Sequence, residues 1–160
     1  MSTQPRLMVI APRDDGDLAA ARALIEAYAR SLDFNLCFQG FEAEMAGFPG
    51  MYAPPHGALR LGLVDGVPQG VVALKRLDDG ICEMKRLYVT PAARGTGLGR
   101  QLADSIVAAG RALGYRAMRL DTIGTMAAAI SLYRALGFRP IPDYNGNPLP
   151  GAQFFEFSYR

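Results

Sequence analysis

The chain has 160 residues, half of them hydrophobic and a fifth charged, which is the profile of one globular domain with room for a real core. Its net charge of +2, with no run of like charges, gives no electrostatic footprint for nucleic acid or for an anionic membrane. A lone histidine, His56, argues against a histidine-based metal site or triad, and no metal is expected.

The first residues, MSTQPRLMVIAPRDD, hold an apolar run too short for a signal peptide or a membrane span. Leu7 to Ala11 within it fit a first strand. Asp14, Asp15 and Asp17 then offer helix caps, and Leu18, Leu24, Ile25, Tyr28 and Leu32 recur close to helical spacing, so a first helix is predicted to end near Ser31. Phe34 to Gln39 is irregular, and Phe41 to Met45 reads as a short second helix. Phe34, Phe38, Phe41 and Phe48 form an aromatic group, either core or one wall of an acceptor pocket. Cys37 and Cys82 both sit among apolar residues and read as buried, reduced thiols of a cytoplasmic protein.

Three strands follow. Leu59, Leu61 and Leu63 alternate with Arg60 and Gly62, and Asp65-Gly66 signals a hairpin. Gly70 to Leu77 is the next strand, Asp78-Asp79-Gly80 turns again, and Ile81 to Val89 is the third. Turns this short predict an antiparallel meander. Thr90-Pro91 breaks the third strand, because proline cannot donate to a ladder. Then Arg94-Gly95-Thr96-Gly97-Leu98-Gly99-Arg100 runs straight into a helix whose stripe is Leu98, Leu102, Ile106, Ala109 and Leu113, with Gly114 as C-cap. Glycines at this junction uncover backbone N–H groups. With the positive end of the helix dipole, and charge from Arg94 and Arg100, they make a phosphate cradle.

Ala117 to Asp121 reads as a strand parallel to the previous one, reached through a right-handed crossover. Met126 to Leu136 forms a helix stopped by Gly137, and Phe138 to Ile141 is extended. Pro142 to Gly151 is a long polar loop. Phe155, Phe157 and Tyr159 alternate in a last strand. No internal repeat or linker interrupts the order, so residues 1–160 are read as one domain.

The cradle is neither a Walker loop, since Arg100-Gln101 follows Gly99 where Lys-Ser/Thr is needed, nor a dinucleotide fingerprint, since the third glycine is missing. Arg94-x-x-Gly97-x-Gly99 instead resembles the pyrophosphate loop of the GNAT superfamily of N-acetyltransferases. Ala129-Ile130-Ser131-Leu132-Tyr133-Arg134-Ala135-Leu136-Gly137-Phe138 resembles that family's second signature, and the element order resembles its fold over nearly the whole chain. The resemblance implies an α/β, mixed and mostly antiparallel sheet flanked by helices, with the parallel fourth and fifth strands splayed apart. It also implies acetyl-CoA as co-substrate, its pyrophosphate held by Arg94, Gly95, Thr96, Gly97, Leu98, Gly99 and Arg100, its pantetheine arm pairing with Leu87, Tyr88 and Val89. Met126 stands where many members carry an asparagine that contacts that arm.

Two side chains carry the chemistry that the resemblance implies. Glu83, six residues before Val89, stands where the family's histone acetyltransferases, among others, place a catalytic glutamate. Absent a bulge, it shares a face with Lys85, Leu87 and Val89. It could accept the acceptor's proton directly or through water, or serve in an ion pair with Lys85 or an arginine. Tyr133 matches the family's tyrosine that protonates the departing thiolate, or fills the helix–sheet interface. His56, between Pro54-Pro55 and Gly57, reads as a surface loop residue rather than a base. The implied reaction is acetyl transfer to a primary amine of a small molecule or peptide by direct attack; the alternative is a non-catalytic acyl-CoA-binding or regulatory module. Phe34 to Phe41 and Tyr144 to Pro150 would frame the acceptor, and Lys85 and Arg86 are either a hint of an acceptor or cofactor bearing negative charge or a solvated pair. Many relatives are dimers, so a homodimer is one expectation.

Overall fold

The structure, a computed structural model, describes residues 4–32, 40–123 and 127–159. Phe34, Phe38, Cys37 and Met126 lie outside them. Strands β1 (Leu7–Ile10), β2 (Ala58–Val64), β3 (Val67–Asp78), β4 (Ile81–Val89), β5 (Ala117–Ile123), β6 (Arg139–Ile141) and β7 (Ala152–Ser158) form one sheet in the order β1-β2-β3-β4-β5-β7-β6. The β4–β5 pair is parallel and the other neighbours are antiparallel, as the short turns and the single crossover predict. Helices α3 (Leu98–Ala112) and α4 (Ala127–Leu136) pack on one face, and α1 (Asp15–Ser31) and α2 (Phe41–Ala46) on the other.

Local chemistry explains the boundaries. The Asp14 carboxylate accepts from the Asp17 N–H at 2.9 Å and caps α1, a contact worth about 0.5–2 kcal/mol. Asp65 and Gly66 both take positive φ, 50° and 82°, the pair of left-handed residues that a two-residue hairpin turn requires. At the end of α3 the Gly114 N–H donates to Arg111 and the Tyr115 N–H to Gly110, closing a left-handed cap. The helix therefore stops one residue early, and Leu113, expected in the apolar stripe, is exposed.

The rest of the stripe is buried: Leu98, Leu102 and Ile106 lie against the sheet. Each contributes roughly 1.5–3 kcal/mol of burial. The helix comes close because β2 and β3 present glycines beneath it. A Cβ on Gly62 would lie 2.9 Å from Leu98 Cδ1, and one on Gly70 would lie 2.7 Å from Leu102 Cδ1. This approach brings the N-terminus of α3 beside the end of β4.

Candidate active site

The site grows from a defect in β4. Register runs from Lys75↔Glu83 to Ala73↔Lys85, then resumes at Val71↔Tyr88, so β4 spends three steps where β3 spends two. The extra residue is a bulge at Arg86, whose φ is +62°. Left-handed backbone is costly for a side-chain-bearing residue and must be held from outside. Arg86 Nε and Nη2 donate to the two Glu44 oxygens of α2 at 3.0 and 2.8 Å, and the guanidinium lies 5.3 Å from the Phe41 ring centre. Burial alone would lower the Arg86 pKa; the Glu44 hydrogen bonds, together with the electrostatic effects of Tyr52, Glu44 and Tyr28, outweigh it and raise it. Arg86 is thus tied to the shape of β4, a buried side chain rather than a solvated one.

The bulge also overturns the expected shared face. Leu87 and Val89 join Cys82 and Met84 in the core beneath α3 and α4. Glu83, on the other side of the phase shift, turns to the opposite face. It is 2% exposed. Its Oε2 accepts the Tyr144 hydroxyl at 2.6 Å and its Oε1 lies 3.7 Å from Lys75 Nζ. Glu83 therefore stands in an ion pair, and Lys75 is one partner in it.

The parallel ladder between β4 and β5 runs from Ile81↔Ala117 to Glu83↔Arg119 and stops there. Beyond it the strands part around a cleft of about 580 Å³. Its walls include Leu87, Tyr88 and Val89 from β4, Arg94 and Gly99 from the glycine loop, and Tyr133 from α4. Gly95 and Gly97 take φ of 82° and 93°, and a side chain added to Gly95 would meet nothing within 4 Å, so the space above the loop is open. Thr96 braces the turn, its hydroxyl donating to the Ala93 carbonyl at 2.6 Å and accepting from the Leu98 N–H at 3.3 Å. The Leu98 side chain is core, and Arg100 is exposed and paired with Asp104 at 3.3 Å. Of the expected loop residues, Arg94 and Gly99 line the cleft, and Leu98 and Arg100 do not. Arg94 Nε donates to the Val89 carbonyl at 3.3 Å, tying the loop to the strand end.

Tyr133 is buried, with its ring 5.9 Å from Phe138 and 6.5 Å from Phe155. Its helix is closed by Gly137, with the Phe138 N–H donating to the Tyr133 carbonyl at 3.0 Å. Burial pushes the Tyr133 phenol above its usual range, with Tyr28 and Asp121 adding to the effect. It therefore carries its proton at neutral pH. His56 is exposed and away from the cleft.

A second, polar pocket of about 390 Å³ adjoins the cleft, and Glu83, Lys75 and the 145–148 segment line it. Lys85, Asp121 and Asn147 border both spaces. Sequence reasoning did not find Lys75 or Asp121. Counting from the Asp78-Asp79-Gly80 turn would set Arg76 opposite Glu83, and only a register shift between Arg76 and Asp78 brings Lys75 there; Asp121 needed the splay. Among the described residues no group of acidic, histidine or cysteine side chains could hold a metal ion, and no helix is long and apolar enough to cross a membrane.

The chain matches the model of the acetyltransferase (GNAT) family over residues 21–138. An uncharacterized N-acetyltransferase of Schizosaccharomyces pombe is 36% identical over 86% of each chain. The zebrafish N-acetylaspartate synthetase is 29% identical over 78% of this chain and 45% of its own length. Among solved structures, an acetyltransferase from Salmonella typhimurium determined with its cofactor acetyl-CoA superposes with a TM-score of 0.66 at 21% identity, covering 95% of this chain and 93% of that one.

Proposed function

This chain belongs to the acetyltransferase (GNAT) family and is an acetyl-CoA-dependent N-acetyltransferase; from that premise we propose that it acetylates a primary amine of a small molecule by direct attack, with Glu83 and Tyr133 moving the protons. One observation carries the reading. The glycine loop that opens α3 borders the same cleft as the part of β4 beyond its ladder with β5, so an anion cradle and a strand edge stand side by side.

The backbone N–H groups of Gly95, Gly97 and Gly99 and the dipole of α3 suit a pyrophosphate, with Arg94 adding charge. The edge of Leu87, Tyr88 and Val89 suits an amide-bearing arm laid along it like an extra strand. Bound there, acetyl-CoA supplies an activated acyl carbon and a thiolate leaving group. Glu83 takes a proton from the acceptor ammonium, directly or through water. The amine nitrogen forms its bond to the acyl carbon as the carbon–sulfur bond breaks, it loses its second proton to water to leave the neutral amide, and the Tyr133 phenol gives the departing sulfur a proton. Both groups recover their starting forms by exchanging that proton with solvent.

The zebrafish relative's name points to an amino acid as the kind of acceptor. The modest net charge favours an acceptor other than nucleic acid. We also propose a single catalytic domain working in the cytoplasm, where Cys82 stays a reduced buried thiol. A homodimer, as in many members of the family, is to be checked by light scattering. The reaction is tested by following CoA release from acetyl-CoA across a panel of amines. Release that no amine accelerates would defeat it.

A further inference from the structure

The end of the β4–β5 ladder decides which carboxylate stands in the gap. Glu83 pairs with Arg119 at the last rung, so these two side chains share a face of the sheet. Tyr144 covers that face: its hydroxyl reaches Glu83 and its ring centre lies 5.5 Å from the Arg119 guanidinium. Asp121 follows Arg119 by two residues and keeps the same face, about 6.5 Å further along β5. It is the first position of β5 on this face to lie beyond the ladder. Glu83 is enclosed at the closed rung, 2% exposed, whereas Asp121 borders both the cofactor cleft and the polar pocket.

Asp121 is held there without being neutralised. Its Oδ2 accepts from Asn145 Nδ2 at 2.8 Å and from Asn147 Nδ2 at 3.0 Å. Both donors are uncharged amides and both take the same oxygen, so the clamp fixes the carboxylate and leaves its charge in place. A half-buried carboxylate in that state is stabilised by a cation. Lys85 shares this border and feels the Asp121 charge, though burial disfavours its charged form. Tyr133 lines the same cleft, and the Asp121 charge helps its phenol keep the proton.

We infer that Asp121 binds the ammonium of the acceptor and holds it in the gap where β4 and β5 have parted. Asp121 places the nitrogen, and Glu83 takes its proton. The two carboxylates line one polar pocket of about 390 Å³, which has room for water between them. That gives the proton a path to a base that is itself nearly inaccessible. No bond changes at Asp121, which enters and leaves each turnover as a carboxylate.

The inference rests on the acetyl-transfer reading, and the two fail differently. The test uses the amine that most accelerates CoA release. Asp121→Asn keeps an oxygen for the two amides and removes the charge. KM for that amine should rise roughly ten- to a hundredfold, the weight of a hydrogen bond to a charged group, while kcat stays within about threefold. Asp121→Glu keeps the charge and should recover part of the loss. Calorimetric affinity for acetyl-CoA should stay within twofold in both variants, which also reports that they are folded. A KM within twofold of the parent in Asp121→Asn, or a fall in kcat with KM unchanged, would overturn the assignment and leave acetyl transfer intact. Loss of acetyl-CoA binding in both variants would overturn it too, making Asp121 a structural clamp for the 145–147 segment. If acetyl-CoA binds and no amine accelerates CoA release, acetyl transfer falls and the inference falls with it.

Discussion

The Tyr144 hydroxyl donates a 2.6 Å hydrogen bond to Glu83, 61 positions earlier in the chain. The bond joins the loop before β7 to the strand that carries the proposed base. It aims one oxygen of a nearly inaccessible carboxylate and leaves Lys75 beside the other. Burial, with Glu83 next, pushes the Tyr144 phenol above its usual range, so it remains a donor throughout the working pH range.

Glu83→Gln keeps the shape of that contact and removes proton acceptance. We expect kcat to fall by roughly ten- to a thousandfold, the size of general-base help. Acetyl-CoA affinity should be unchanged, since Glu83 faces the polar pocket rather than the cofactor cleft. Steady-state kinetics and calorimetry check both. A kcat within twofold of the parent would make Glu83 structural.

Tyr133→Phe keeps the ring against Phe138 and Phe155 and removes only the hydroxyl. A hydroxyl that serves only as a hydrogen-bonding group would cost about 0.5–1.5 kcal/mol of stability. One that protonates the thiolate should also slow turnover of the folded enzyme. The defect should shrink with an acyl donor whose thiol is more acidic, because a better leaving group needs less protonation. Equal defects with both donors would count against the role.

Gly97 sits at φ +93°, and a Cβ there would come no nearer than 4.0 Å to Leu7 Cδ1. Gly97→Ala should therefore cost about 1–2 kcal/mol through backbone strain, not collision. Gly97→Glu adds a carboxylate where the pyrophosphate is proposed to sit and should abolish acetyl-CoA binding in calorimetry. Arg94→Ala should weaken it less. Parental affinity in a folded Gly97→Glu variant would displace the cradle.

Glu44 and Arg86 are each 3% exposed at the side chain, and together they hold the bulge. Glu44→Ala leaves a buried charge without its bidentate partner and should destabilise by about 3–5 kcal/mol in chemical denaturation. Turnover should fall as well, because the open edge of β4 depends on the bulge. Replacing both residues with methionine should recover stability but not turnover. Unaltered kinetics in that double variant would separate the bulge from the site.

Burial pushes the Cys82 thiol up to about 12. Unfolded, it titrates near 8.5. The folded state thus holds the proton longer. This contribution to stability is complete below about pH 8.5 and is lost as the pH rises toward 12. Peptide mapping after thiol labelling at pH 8 should show Cys82 unmodified in the native protein and modified in denaturant. Rapid native labelling would contradict its burial.

The strands, the four helices and the parallel crossover were legible because their signals are local. A turn needs left-handed residues at Asp65-Gly66, a helix end needs Gly114 or Gly137, and a half-buried strand alternates. The glycine loop was legible for the same reason, and its place at the cleft follows from the strand and helix it joins. The face of Glu83 was not legible. One left-handed residue, Arg86, reverses the alternation, and arginine carries no sign of that conformation. It is held there by Glu44, which is distant in the chain. Nor could the sequence tell that Asp121 borders both spaces, or that Tyr144 reaches Glu83. Those relationships exist only once β5 and β7 pair and the 142–151 loop folds back over the gap. Backbone propensity acts over a few residues, whereas the register of a bulged strand and the aim of a buried carboxylate are set by packing between distant ones.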